Sequence, residues 1–433
     1  MLFGSSGIRG IVNEEITPQL ALKIGEATAC LYKKVVIGYD PRTSSKMIKN
    51  AIISGLLSAG AEVTDISLTT TPTLAYSAKN FDIGVMITAS HNPSQYNGIK
   101  FFNPDGSGIS EREAKKIEEM LGKGKKARWN EIKQVRKYKG AINEHIQAIL
   151  NDCGVANKKM TVAVDCANGS TSLITPYLLQ KMGCKVISLN AQPDGFFPAH
   201  EPEPIEKNLL EIKKLAKYAP IDIAFAHDCD GDRLVVIGRD GIIPNDKLLA
   251  FLAKSIGAKK IVIPINASLC IDDYLPKAKI FYTRVGDVFV SQKLKEIKGH
   301  FGGEPSGTWI FPSFSYCPDG IYAVAKIIKM MEEIDIEEEI QKIPSYYTMR
   351  SSIASTRKKI EKAMKKIEEE LQKFEYERIS KIDGIRLDMH DSWLLIRPSG
   401  TEPKIRITVE AREKENAKNL YDKVVDIVKR CIK

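Results

Sequence analysis

IDIAFAHDCDGDRLVVIG (221–238) decides the fold. Two apolar runs, IDIAFA (221–226) and LVVIG (234–238), flank His227-Asp228-Cys-Asp230-Gly-Asp232-Arg233. Runs this short, rich in β-branched residues, read as strands buried on both faces. The same signal recurs at VVIG (35–38), DIGVMI (82–87), TVAV (161–164), KVISL (185–189), KIVIPI (260–265) and KIFYT (279–283). Segments with helical spacing lie between them, such as Met47 to Leu57 and Asn208 to Lys217. This alternation marks an α/β fold, and it occurs three times. Residues 1–150, 151–245 and 246–350 are therefore assigned to three similar α/β domains. After Pro344 the pattern changes. Ile360, Ala363, Met364, Ile367, Leu371 and Phe374 share one helical face over Arg357 to Phe374, followed by strand-like RLDMH (386–390), SWLLI (392–396) and IRITVEA (405–411), then an amphipathic helix from Glu415 to Ile432. Residues 351–433 form a fourth, α+β domain on this reading.

The composition agrees. The chain has 433 residues, 43% hydrophobic and 27% charged, which is globular and too long for one core. A formal net charge of +10 favours anionic partners. Eight cysteines with no C-x-x-C pair exclude a zinc framework and a small disulfide scaffold. No apolar run approaches the roughly 18–20 residues needed to span a bilayer. With no secretion signal at Met1–Gly10, a cytoplasmic setting and no membrane partner are expected. The basic stretch 122–140 has no aromatic ladder, so it reads as a solvated helix end and linker rather than a nucleic-acid site.

Ligands of open α/β sheets collect beyond the carboxyl ends of strands. Four loops stand out there. Thr88-Ala-Ser90-His-Asn-Pro93, continuing to Lys100, offers a serine as nucleophile or phosphate carrier, or alternatively as the hydroxyl of a turn or helix cap. Asp228, Asp230 and Asp232 repel one another unless a cation intervenes, and they supply the hard oxygens that suit Mg²⁺ or Ca²⁺; the alternative is a solvated acidic turn. Gly302-Gly-Glu-Pro-Ser-Gly307 reads as a flexible loop whose carboxylate and hydroxyl suit vicinal sugar hydroxyls. Arg397-Pro-Ser-Gly-Thr-Glu-Pro403 reads as an anion nest, with Arg406 adding charge, or as an ordinary hairpin loop. Together they describe phosphoryl transfer on a phosphorylated sugar.

From end to end the chain resembles the α-D-phosphohexomutases, through GSSGIRG (4–10), TASHNP (88–93), DCDGDR (228–233), GGEPSG (302–307) and RPSGTEP (397–403). The resemblance implies three α/β/α domains with mixed sheets and a smaller C-terminal α+β domain around a central cleft. It implies that Ser90 is a phosphoserine, that Asp228, Asp230 and Asp232 bind one Mg²⁺ with it, and that Arg9, Lys100 and Arg233 surround the reacting phosphoryl group. Glu304 and Ser306 would hold sugar hydroxyls, and Arg397, Ser399, Gly400, Thr401 and Arg406 the non-reacting phosphate. Lys100 or Arg9 would move protons, and a hexose 1,6-bisphosphate would prime the serine. The partners expected are sugar phosphates, with the chain a monomer or homodimer.

Many members of the family carry a histidine where Thr308 stands. Val285-Gly-Asp287 and the RPSGTEP spelling resemble the branch acting on glucosamine phosphate, while Pro193-Asp-Gly-Phe-Phe-Pro198 and Pro202-Glu-Pro204 resemble archaeal-type members. Glucosamine phosphate is therefore expected over glucose or mannose phosphates. A phosphatase using Asp228 as nucleophile fits less well, because it leaves Ser90 unexplained.

Overall fold

The computed structural model describes residues 2–4, 7–399 and 403–432. Four sheets account for the strands. In the first domain Lys34–Tyr39 pairs in parallel with Glu62–Leu68 and Ile83–Ile87, and Tyr96–Phe102 runs antiparallel beside Ile83–Ile87. Ile8–Ile11 closes one edge and Arg136–Lys137 the other, so the sheet is mixed. The second sheet has Thr161–Asp165 between Lys185–Leu189 and Ile223–His227, with Leu234–Gly238 antiparallel beyond. The third is built on Lys260–Pro264, parallel to Lys279–Thr283 and Phe301–Glu304, with Thr308–Ile310 antiparallel at the edge. Ile83–Ile87, Ile223–His227 and Leu234–Gly238 are buried at every position, as continuous apolar runs require.

The fourth sheet is wholly antiparallel, and alternation along Ser392–Pro398 explains its placement. Leu394 and Ile396 face the core shared with helices Arg357–Leu371 and Lys414–Ile432, while Trp393 and Leu395 pack with Ile265 of the third domain. Buried charge adds to this contact. Arg386 donates to the Ile265 and Ala267 carbonyls, and Glu410 accepts from Ser268 Oγ at 3.1 Å and Leu269 N at 3.0 Å.

Several expectations change. GGEPSG is a strand, Phe301–Glu304, and a tight turn into Thr308–Ile310, because Gly303 pairs with Trp309 and Glu304 with Thr308. Lys100 lies on strand Tyr96–Phe102, not in a loop. The 122–140 stretch holds one short 3₁₀ turn, Trp129–Glu131, and the edge strand Arg136–Lys137, with no α-helix between Glu119 and Ala141. The boundary set after residue 150 falls inside helix Ala141–Cys153, and the one after 350 inside strand Tyr347–Ala354, whose full length pairs with Lys404–Ala411.

Helices Pro18–Leu31 and Ser45–Ser58 cross closely enough to explain two glycines that propensity disfavours. A Cβ on Gly25 would meet the Ile52 carbonyl oxygen at 2.3 Å, and one on Gly55 the Leu22 carbonyl oxygen at 2.1 Å. Gly55→Ala should therefore destabilise the first domain by about 1–3 kcal/mol despite better helix propensity. Denaturant unfolding checks it, and an unchanged midpoint would contradict the packing.

Candidate active site

Ser90 sits just past strand Ile83–Ile87, buried, with φ at +51° in the left-handed region. Its N–H donates to Thr88 Oγ1 at 2.9 Å, and its hydroxyl donates to Asp228 Oδ2 at 2.6 Å. The first domain's serine and the second domain's acidic loop thus meet directly.

Asp228, Asp230 and Asp232 are all buried, with one oxygen of each within 4.8 Å of the others. Asp228 Oδ1 accepts the Gly231 and Arg233 N–H groups at 3.0 and 3.2 Å. Asp230 Oδ2 accepts from Thr71 Oγ1 at 2.6 Å and from Lys100 Nζ at 2.9 Å, and Lys100 also reaches Asp232 at 2.7 Å. Burial, then Asp232 and Asp230, push the Asp228 carboxyl well above the usual range. Burial alone would raise Asp230 as well, but Lys100 and the Thr71 hydroxyl hold it below. Burial opposes the charge on Lys100, and the two carboxylates outweigh it, keeping the ammonium protonated.

This donor set fits a hard divalent cation. The three buried carboxylates have Lys100 as their direct ion-pair partner, with the Arg9 and Arg233 guanidinium groups acting from farther off, and Asp230 Oδ1 is buried without a hydrogen-bond partner. Arg9 Nη1 donates to Asn92 Oδ1 at 2.6 Å, which places it beside the serine loop. The Arg233 guanidinium lies 3.5 Å from His91 Nε2 and 3.6 Å from Glu203. Burial first, then Arg233, Arg9 and Lys100, depress His91, so its imidazole is neutral.

The remaining residues expected at the site lie in the third and fourth domains. Glu304 is buried, accepting the Gly286 N–H at 2.7 Å and the Ser306 hydroxyl at 3.3 Å. Burial and then Asp287 push its carboxyl up to about 7, with the Gly286 N–H and Arg233 opposing. Arg397 Nη1 donates to Asp383 Oδ2 at 3.3 Å, and the same oxygen accepts the Val285 N–H at 3.1 Å. Burial lowers Arg397. Arg406 is its cross-strand neighbour, and the Ser399 N–H donates to the Lys404 carbonyl at 2.8 Å. Gly400 and Thr401 lie outside the described residues.

The structure thus gathers Ser90, Lys100, Arg9, Arg233 and the three aspartates at one end, and Glu304, Ser306, Arg397, Ser399 and Arg406 around the third and fourth domains. Sequence reasoning missed Arg42, Thr71, Asp383 and Glu203. Arg42 was within reach, because Asp40-Pro-Arg42 follows a buried strand just as TASHNP does. The Asp383 contact to Val285 spans 98 residues and left no local trace.

Comparison with known proteins agrees with this geometry. Family profiles for phosphoglucomutase/phosphomannomutase α/β/α domains I, II and III match residues 1–128, 143–241 and 244–347, and that for the C-terminal domain matches 353–427. A relative from Methanocella arvoryzae, named "Probable phosphoglucosamine mutase", is 46% identical over 434 residues, covering 100% of this chain and 98% of its own. One from Methanocaldococcus jannaschii, named "Phosphoglucosamine mutase", is 40% identical over 446 residues, covering 100% and 99%. A solved phosphoglucomutase/phosphomannomutase family protein from Burkholderia thailandensis superposes with a TM-score of 0.90 at 24% identity, covering 99% and 97% of the two chains. The chain belongs to the phosphoglucomutase/phosphomannomutase family of phosphomutases. No described helix is long and apolar enough to cross a membrane.

Titration with Mn²⁺, followed by electron paramagnetic resonance, should show one site per chain. Asp230→Asn should weaken it at least about tenfold, since even outer-shell partners of a metal commonly matter that much. Equal affinity in the variant would remove the cluster as the site.

Proposed function

We propose that the chain is a Mg²⁺-dependent phosphoglucosamine mutase, interconverting glucosamine 6-phosphate and glucosamine 1-phosphate through phospho-Ser90 and a bisphosphate intermediate. The observation that carries the reading is the Ser90 hydroxyl at 2.6 Å from Asp228 inside the acidic triad. The full-length relatives named for this reaction support the choice of sugar.

In the forward direction the 1-hydroxyl oxygen of glucosamine 6-phosphate attacks the phosphorus on Ser90. A new P–O bond forms as the P–Oγ bond breaks, and the proton given up by the sugar hydroxyl is matched by one taken up at Ser90 Oγ, which leaves as a hydroxyl. The bisphosphate turns over, Ser90 Oγ gives up its proton and attacks the phosphorus on O6, the P–O6 bond breaks with O6 taking up a proton, and glucosamine 1-phosphate leaves. Asp228, Asp230, Asp232 and phospho-Ser90 would hold Mg²⁺, which offsets charge on the transferring group when bound. Positioning by the protein supplies most of the rest.

Either Lys100 or Arg9 was expected to move protons. The two carboxylate partners of Lys100 keep it an ammonium, so it serves as a fixed charge and hydrogen-bond donor to the phosphoryl oxygens, as do the Arg9 and Arg233 guanidinium groups. Glu304, flanked by Ser306, accepts from sugar hydroxyls. Arg397 and Arg406, paired across two strands, hold the distal phosphate with Ser399, Gly400 and Thr401. A hexose 1,6-bisphosphate loads the serine.

Ser90→Ala should lower turnover by at least about 10⁴-fold, the scale on which losing a covalent nucleophile acts. Activity near the parent level would end the phosphoserine reading. In a ³¹P NMR competition among glucosamine 6-phosphate, glucose 1-phosphate and mannose 1-phosphate, the amino sugar should convert fastest. Preference for glucose or mannose esters would reassign the sugar, and release of inorganic phosphate alone would indicate a phosphatase.

The carboxyl of Glu304 yields a pH prediction. With its pKa at about 7, the carboxylate, which is the stronger acceptor, becomes the main form only as pH rises through that value. The KM for glucosamine 6-phosphate should therefore fall between about pH 6 and about pH 8 in the parent protein, once the ionisation of the substrate phosphate is subtracted using Glu304→Gln. Parallel pH profiles in the two proteins would show that Glu304 does not bind the sugar.

A further inference from the structure

The serine loop is held from behind by one side chain. Arg42 is only 2% exposed and uses all five of its N–H donors. Nε donates to Asp40 Oδ2 at 3.0 Å, Nη1 to the Pro93 and Tyr96 carbonyls at 2.6 and 3.1 Å, and Nη2 to the Ser90 and Asn92 carbonyls at 2.7 and 2.6 Å. Four loop carbonyls thus converge on one rigid plane. Asp40 completes the hold, since its Oδ2 also accepts from Thr88 Oγ1 at 2.7 Å, and Thr88 Oγ1 accepts the Ser90 N–H. Ser90 is therefore fixed on both its N–H and its C=O sides while its backbone sits at a φ that L-residues rarely adopt.

The second domain backs this device with the segment 193–198. The Phe197 ring lies 5.0 Å from the Arg42 guanidinium carbon, and Gly195 approaches so closely that a Cβ would meet the Pro41 carbonyl oxygen at 2.5 Å and Arg42 Cα at 2.6 Å. The segment is moored in its own domain, with the Asp194 N–H on the Asn168 carbonyl at 2.9 Å and Asn168 Nδ2 on the Gln192 carbonyl at 3.0 Å. From the metal-loop side of the same domain, Cys229 Sγ reaches Asp40 Oδ2 at 3.5 Å.

We infer that Arg42 is the positioning residue that aims Ser90 for phosphoryl transfer, and that Phe197 and Gly195 hold it in place from the second domain. The inference rests on the phosphoserine reading above. Arg42 reaches the loop's backbone carbonyls and acts on the chemistry through Ser90. A displacement of 1 Å at a reacting atom costs about 10²-fold in rate, so losing this hold lowers kcat and leaves sugar binding intact.

Two kinds of variant separate geometry from charge and from folding. Arg42→Lys keeps the cation that pairs with Asp40 but replaces a planar fork by a three-donor point charge, leaving loop carbonyls unmatched. Phe197→Leu keeps apolar bulk and removes the ring face, and Phe197→Tyr restores the ring. The dephosphorylated full chain is mixed with Mg²⁺ and ³²P-labelled glucose 1,6-bisphosphate, and the rate of label arriving on Ser90 is followed by rapid quench beside steady-state kinetics and thermal midpoints. Arg42→Lys should label about 100-fold more slowly with little change in KM. Phe197→Leu should label about tenfold more slowly and Phe197→Tyr at the parent rate, at a matched midpoint. Parent-rate labelling in Arg42→Lys or in Phe197→Leu, or a loss confined to KM, overturns the inference. Failure of the parent chain to take label overturns the phosphoserine reading itself, and this inference with it.

Discussion

Three buried carboxylates with one oxygen of each within 4.8 Å of the others set the terms for the rest of the molecule. Their mutual repulsion is only weakly screened, so the second domain could not bury the loop by itself. The first domain supplies the balance. Lys100 bridges Asp230 and Asp232, Thr71 donates both its hydroxyl and its N–H to Asp230, and the Ser90 hydroxyl donates to Asp228. Docking of the two domains and assembly of the site are thus one event, driven by the same charges. The third domain adds its share through the Gly320 N–H on the Gly231 carbonyl at 3.2 Å and the Leu234 N–H on the Gly307 carbonyl at 2.9 Å.

A second set of buried charges ties the fourth domain to the third. Glu410 gathers Trp393 Nε1, Ser268 and Leu269, and Arg386 stacks 4.2 Å from the Trp393 ring while donating to two carbonyls of the third domain. Asp383 extends this link to the site, joining the Val285 N–H of the third domain to Arg397 of the fourth. The orientation of the distal arginine therefore depends on the third domain's backbone, next to the carboxylate proposed to hold the sugar.

Legibility in the sequence followed the physics of each element. Short apolar, β-branched runs announced themselves, so KVISL, LVVIG and KIFYT coincide with observed strands end for end. Only LVVIG is buried throughout; the other two, expected to be buried on both faces, are half-buried to exposed along most of their length. Two strands whose apolar run is interrupted by polar residues or glycine did not announce themselves. Tyr347–Ala354 alternates exposed with half-buried residues, and Tyr96–Phe102 carries Gly98 and Lys100 in its middle because the chain passes close to the Ile8 carbonyl and the lysine is needed at the triad. The acidic loop and serine loop were readable because their residues are adjacent in sequence. Arg42 stood in a readable place, just past a buried strand, but its partners in the serine loop lie about 50 residues away, and Asp383 acts on a backbone N–H 98 residues away with nothing local to mark the pairing.

On the proposed reaction the bisphosphate presents one phosphate to each end of the cleft, then exchanges them. An enzyme that bound only one orientation well would stop at the intermediate. The two ends answer this with the same chemistry: guanidinium groups, Arg9 and Arg233 beside Ser90, and Arg397 and Arg406 across paired strands in the fourth domain. Guanidinium forks match phosphate geometry bidentately and do not depend on which carbon bears the ester. What distinguishes the ends is the triad and its serine, which confine phosphoryl transfer to one of them. Binding is thereby made nearly symmetric while the chemistry stays one-sided, which is the condition for an intermediate to turn around and still react at a single hydroxyl.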